Sequence, residues 1–106
     1  MKANELRSVI ISSREWRDKT YGNTYYAARV MLNFGMDNAE EFYMDFRYGY
    51  GNQAEYDAIR EIAKQLNVNF DGFNTFKNIY NNFGYYIKVD TQITQNCKKK
   101  DLKKWF

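Results

Sequence analysis

The chain has no histidine, no proline and a single cysteine, Cys97. Without histidine it cannot build a Ser-His-Asp or Cys-His catalytic pair, and a lone cysteine cannot anchor a zinc cluster. Any bond-breaking chemistry would fall to carboxylates, tyrosine, lysine or arginine. One cysteine also excludes an intrachain disulfide, which fits a reducing compartment. Lys98, Lys99 and Lys100 favour the Cys97 thiolate, but with no histidine to take its proton Cys97 reads as a bystander. No apolar run approaches the roughly 18 residues that a spanning helix needs. The mean hydropathy is −0.77, and the N-terminus has no apolar stretch of signal-peptide type, so the expected location is cytosolic.

Aromatic rings are what the chain has in excess. They make up 19% of its 106 residues, with 10 Tyr, 8 Phe and 2 Trp, more than one core of this size needs. Some must therefore lie on a surface, where rings in number indicate an interface or a stacking site. Charge is unevenly placed. Residues 98 to 106 hold five lysines against one aspartate, a charge of +4, whereas residues 1 to 97 carry 11 basic and 12 acidic side chains and sum to −1. A nucleic-acid-binding domain spreads its cations along one face, so a neutral body with a basic tail does not point to a nucleic-acid polymer. Leu102, Trp105 and Phe106 indicate that this tail docks onto something.

Alternation sets the expected elements. Glu5 to Ser13 reads as a strand, followed by a charged stretch, Arg14 to Lys19, around Trp16. Tyr21-Gly22-Asn23 is a hairpin turn into a return strand from Thr24 to Phe34. On that strand Tyr26, Ala28, Val30, Leu32 and Phe34 form the core face, against Tyr25, Ala27, Arg29, Met31 and Asn33. Arg29 is either half-covered by its neighbours or offered to an anion. Gly35 to Asn38 makes the next turn, and Glu40 to Tyr48 alternates again, with Phe42, Met44, Phe46 and Tyr48 on one face and Glu41, Tyr43, Asp45 and Arg47 on the other. Short links imply an antiparallel meander.

A glycine-rich turn, Gly49-Tyr50-Gly51, then leads from strand to helix. Its backbone can approach a ligand closely, and the N–H groups of the following helix suit an anion. A plain strand-to-helix turn explains the glycines equally well. Asn52 is placed as N-cap with Glu55 at capping-box spacing. Ala58, Ile59, Ile62, Ala63 and Leu66 form the apolar stripe, while Asp57, Arg60, Glu61 and Lys64 are expected in water. A second helical stripe, Phe73, Phe76, Ile79, Tyr80 and Phe83, follows Asp71-Gly72 and ends at Gly84. Tyr85 to Asp90 reads as a last strand and Thr91 to Asn96 as a polar extension or loop. The expected product is one α+β domain over residues 1–106, in the order β-β-β-α-α-β, with two helices packed on an antiparallel sheet and a basic tail from about residue 98.

Three stretches, Tyr21-Gly22-Asn23-Thr24-Tyr25, Tyr48-Gly49-Tyr50-Gly51-Asn52-Gln53 with Tyr56, and Lys100-Asp101-Leu102, together resemble the first Thoeris anti-defence family of small phage proteins. Members of that family are sponges that hold cyclic ADP-ribose signals made by bacterial TIR-domain proteins without cleaving them. Some also sequester cyclic oligonucleotides at separate pockets, in assemblies built from dimers. The resemblance implies a non-enzymatic protein acting in the host cytoplasm, with no cofactor, metal or membrane. It further implies a cyclic ADP-ribose isomer and cyclic di- or trinucleotides as partners, and a dimer-based homo-oligomer extending to a hexamer.

A cyclic ADP-ribose presents a pyrophosphate, two riboses and a purine, so its binder needs cations and rings. Through the resemblance Arg29 is assigned to phosphate, with Lys98 and Lys100 of the tail standing where the family would carry an arginine; a lysine offers a point charge instead of a fork. Phe76 is assigned to stacking and Asn82 to a polar base contact. Arg47, Tyr48, Gly49, Tyr50 and Gly51 are assigned to the second, oligonucleotide-type pocket. Two other classes stay open on sequence grounds. Tyrosine-rich surfaces suit a phage inhibitor that binds a host protein, and the lysine tail with stacked tyrosines suits a nucleic-acid accessory protein.

Overall fold

The computed structural model describes residues 5–66 and 87–102. Four strands form one sheet: β1 (Ser8–Asp18), β2 (Asn23–Leu32), β3 (Glu40–Tyr48) and β4 (Lys88–Thr94), in the order β3-β2-β1-β4. Helix α1 (Gln53–Leu66) follows β3, and a single turn of helix, α2 (Lys99–Leu102), follows β4. The expected second helical stripe, with Phe76, Asn82 and Gly84, lies outside the described residues.

The antiparallel meander of β1, β2 and β3 is present, and β3 has the bounds read from its alternation. β1 runs further than expected, through Asp18. Its register pairs Ser12 with Arg29 and Asp18 with Asn23, so the charged stretch around Trp16 is strand. The expectation of a wholly antiparallel sheet is corrected at β4, which pairs with β1 in parallel, Ser8 opposite Lys88 through Arg14 opposite Thr94. Parallel neighbours need a crossover of about a dozen residues or more. The chain between β3 and β4 is long enough to carry β4 to the edge of the sheet opposite β3.

One face of the sheet carries the core. Leu6, Val9, Ile11, Tyr26, Ala28, Val30, Leu32, Met44 and Ile87 pack there with Ala54, Ala58, Ile59 and Ile62 of α1. Phe34, expected in this set, is exposed beyond the end of β2. A bulge in β3 makes a second correction. Tyr26 faces Arg47 and Ala28 faces Met44, so two steps along β2 match three along β3. An extra residue rotates all that follows onto the opposite face. Phe42 and Met44 stay with the core, Phe46 joins Trp16 and Tyr25 on the outer face, and Arg47 turns inward toward Glu61.

Asn33, expected on a solvent face, is fully buried with φ of 52°. Its Oδ1 accepts the N–H groups of Arg7 (2.7 Å) and Ser8 (3.2 Å), and its Nδ2 donates to the Glu5 carbonyl (2.9 Å). It thereby ties the segment entering β1 to the end of β2, satisfying backbone groups that the ladder does not reach. At the strand-to-helix turn Gly49 has φ of 146°, and a Cβ there would sit 2.9 Å from Gln53 Cβ; Gly51 has φ of 60° with open space around it. Gly49→Ala should therefore cost about 2–3 kcal/mol and Gly51→Ala about 1 kcal/mol in urea unfolding, the order being the checkable result.

Candidate functional site

The outer face of the sheet is built from rings at one end. Trp16 of β1 stacks on Tyr25 of β2 (centroids 5.7 Å), Tyr25 stacks on Phe46 of β3 (5.0 Å), and Tyr48 meets Tyr25 edge-on (5.8 Å). Pairs of this kind each contribute about 1 kcal/mol beyond burial. The C-terminal segment crosses this end. After β4 the Cys97 N–H donates to the Glu15 carbonyl (2.9 Å), and Asn96, at φ of 59°, turns the chain. Helix α2 then seats Leu102 out of solvent and holds the Lys99 ammonium 5.7 Å from the Trp16 ring and 5.9 Å from Phe46. Arg14 Nη1 donates to the Asp101 carbonyl (3.1 Å), and the Asp101 carboxylate accepts the Lys98 N–H (2.9 Å). Residues 97–102 thus form a strap docked on the chain's own sheet.

Strap and sheet together enclose a groove of about 480 Å³. Trp16, Arg17, Asp18 and Lys19 line it from β1 and the hairpin, and Cys97, Lys98 and Lys99 from the strap. Four cations and one carboxylate converge there, a net +3, and Asp18 is already committed: its Oδ1 accepts the Thr20 N–H (2.9 Å). A second hollow of about 450 Å³ lies on the other side of Arg17 and Asn96, lined also by Glu15, Thr24 and Tyr50.

The glycine turn does bind an anion, but the anion is the protein's own. Glu15, only 7% exposed, accepts the Gly51 N–H at 2.7 Å through Oε2. Below the helix a polar network is closed. Tyr26 Oη donates to Asp57 Oδ2, and Asp57 Oδ1 accepts from Gln53 Nε2 (3.0 Å) and Arg60 Nη1 (3.2 Å). Asp57, expected in water, is therefore buried, with both of its oxygens hydrogen-bonded. Arg47 Nη2 donates to Glu61 (3.2 Å) beside the same cluster.

The residues assigned from sequence are dispersed. Lys98 lines the cationic groove, and Lys100 is exposed on α2. Arg29 lies on the outer face, bonded to Glu41 through Nε (3.0 Å) and Nη2 (2.6 Å) above a shallow hollow of about 200 Å³ that also holds Glu40. A phosphate there would have to displace that carboxylate. Gly49, Tyr50 and Gly51 share the turn, with Tyr50 exposed over the second hollow and Tyr48 exposed beside Tyr25. Arg47 is turned away from them toward α1. Phe76 and Asn82 lie outside the described residues. Sequence reasoning missed Arg17, Lys19, Lys99 and Glu15. Hairpin symmetry held the signal: a return strand from Thr24 needs a partner reaching Asp18, which continues the alternation through Glu15, Trp16 and Arg17.

Among the described residues no group of three or more His, Cys, Asp or Glu is arranged to hold a metal ion, and no helix is long and apolar enough to cross a membrane. Comparison with known protein families, curated proteins and solved structures finds no match.

Burial, reinforced by the hydrogen bond and charge of Asp57, pushes the Tyr26 phenol well above its ordinary value of 10.0. The folded state then holds this proton more tightly than the unfolded state. The resulting stability is intact below about pH 10 and is lost as pH rises beyond it, where the unfolded tyrosine ionises first. Denaturant melts between pH 8 and 11.5 should show a decline that is shallower in Tyr26→Phe, which lacks the ionising group.

Proposed function

We propose that this chain is a binding protein that captures cyclic ADP-ribose signals, and cyclic oligonucleotides of similar chemistry, without cleaving them, and so silences Thoeris-type immunity in the host cytoplasm. The observation that carries the reading is the groove in which Arg17, Lys19, Lys98 and Lys99 face a shared space beside Trp16. Four cations round an open volume of about 480 Å³ suit a compact pyrophosphate ester. The guanidinium supplies a fork and the lysines point charges. Rings at the groove's edge suit a base or ribose face. Capture requires no more than this.

Retention without cleavage rests on the side chains available. Glycosidic or pyrophosphate hydrolysis uses a metal or a paired acid and base, and Asp18, held in its turn, is the one carboxylate lining the groove among the described residues. The family resemblance of the Tyr21–Tyr25 and Tyr48–Gln53 stretches supports the same reading and adds a dimer-based homo-oligomer as its working form.

Titration calorimetry with cyclic ADP-ribose isomers tests the proposal. Arg17→Ala and Lys98→Ala should each weaken capture by about tenfold, as loss of a charge-assisted hydrogen bond does. Ligand released by heat-denaturing the complex should be recovered intact. Recovery of linear ADP-ribose would establish catalysis instead. Heat only with a host protein, or binding to single-stranded nucleic acid that collapses with salt, would replace the proposal by one of the other two classes.

A further inference from the structure

Glu15 is a buried carboxylate with an unused oxygen. Its Oε2 takes the Gly51 N–H at 2.7 Å, and among the described residues nothing donates to Oε1. The side chain lines the second hollow, about 450 Å³, into which the exposed Tyr50 ring also faces. Among the described residues no buried side-chain oxygen lacks a partner, so Oε1 is open to the hollow that Glu15 lines, where it can accept from a ligand that brings hydroxyls. Phosphate is repelled at that point. Arg17 and Asn96 belong to both this hollow and the cationic groove, so they form the ridge between them.

We infer that the second hollow is a nucleoside subsite, in which Glu15 accepts hydrogen bonds from ribose hydroxyls and Tyr50 stacks on the attached base, while Arg17 on the ridge holds the phosphate that joins this half of the ligand to the groove. The inference rests on the proposed phosphate groove and extends it from charge to identity. A ribose presents neighbouring hydroxyl donors at the spacing a carboxylate accepts, the arrangement by which an acidic residue reads a nucleotide ribose elsewhere. An exposed tyrosine gives an uncommitted ring face for a base. Glu15 is then a specificity-determining residue: it rewards a ribonucleotide over inorganic phosphate and over a deoxyribonucleotide.

Calorimetry on the full chain with three probes, inorganic pyrophosphate, ADP and 2′-deoxy-ADP, tests this. Wild type should bind ADP about tenfold or more tightly than pyrophosphate, and most of that preference should vanish with 2′-deoxy-ADP, because a site built to bond a hydroxyl rejects the analogue lacking it. Glu15→Gln keeps an acceptor for Gly51 N–H; it should bind pyrophosphate no more weakly than wild type and should lose the preference for ADP. Tyr50→Ala, which removes an exposed ring and leaves the Glu15–Gly51 bond alone, should weaken ADP about fivefold and leave pyrophosphate unchanged. A full ADP preference in both variants, or equal binding of ADP and 2′-deoxy-ADP, overturns the subsite. Wild type that binds pyrophosphate but gains nothing from ADP overturns the subsite and leaves the groove standing. Wild type that binds no pyrophosphate overturns the groove and the subsite with it.

Discussion

Strict alternation along β1 is the constraint from which the rest of the molecule is arranged. Successive side chains of a strand must point to opposite faces, and β1 keeps this pattern for 11 residues without a bulge. Val9 and Ile11 therefore reach the core, Glu15 reaches the start of α1, Trp16 reaches the aromatic row, and Arg17 stands where two hollows meet. A one-residue slip would exchange all of these at once. β1 also has a neighbour on each side, antiparallel β2 and parallel β4, so it is fixed by two ladders. Among the described residues β3 has one partner, and it carries the bulge that sends Phe46 outward and Arg47 inward.

That arrangement separates charge by depth. The helix N-terminus behind the glycine turn would attract an anion, and Glu15 supplies it from within, so the junction is neutralised before any ligand arrives. The cations that line the groove stand two and four positions further along the chain, at Arg17 and Lys19, and on the strap, outside the core, where they are hydrated and lose little by waiting. Arg29 follows the same logic, since Glu41 on the neighbouring strand occupies its fork. An exposed pair of this type contributes little to stability. Its effect is to quiet the positive charge on that part of the outer face and leave the groove as the more attractive place for a phosphate.

Period-two patterning made the meander legible, and period 3.6 made α1 legible, because each rests on burial of one face. What escaped the sequence followed from long-range pairing. The parallel docking of β4 depends on where a crossover delivers the chain, and no local pattern encodes that; its exposed end, Thr91 to Thr94, suited a loop as well as an extension of the strand. The bulge in β3 left no mark in composition, since Phe46 is as apolar as Phe42. Asp57 was assigned to water by type, and only the depth of Tyr26 beneath the helix explains its burial. For the site, the glycine turn was visible but its occupant was not: a glutamate in a charged stretch 36 residues earlier cannot be matched to Gly51 N–H without the fold.

Cys97, Lys98 and Lys99, a third of the residues that line the groove, belong to a segment that cannot hold itself. A helix of four residues is far below the length at which helices persist alone, so α2 exists through its contacts: Leu102 buried, Lys99 over two rings, Arg14 on the Asp101 carbonyl. Burial of the leucine contributes about 2 kcal/mol and the cation–π contacts about 1 kcal/mol, against the entropy of ordering a short strap. The margin is small. An anion bridging Arg17 on the strand to Lys98 on the strap would bind the docked form alone, and whatever binds one form stabilises it by mass action. For such an anion, affinity and strap docking would be the two sides of a single linkage. With a ligand of that kind in place, what the strap gained from it would appear as a slower escape, with no dedicated lid.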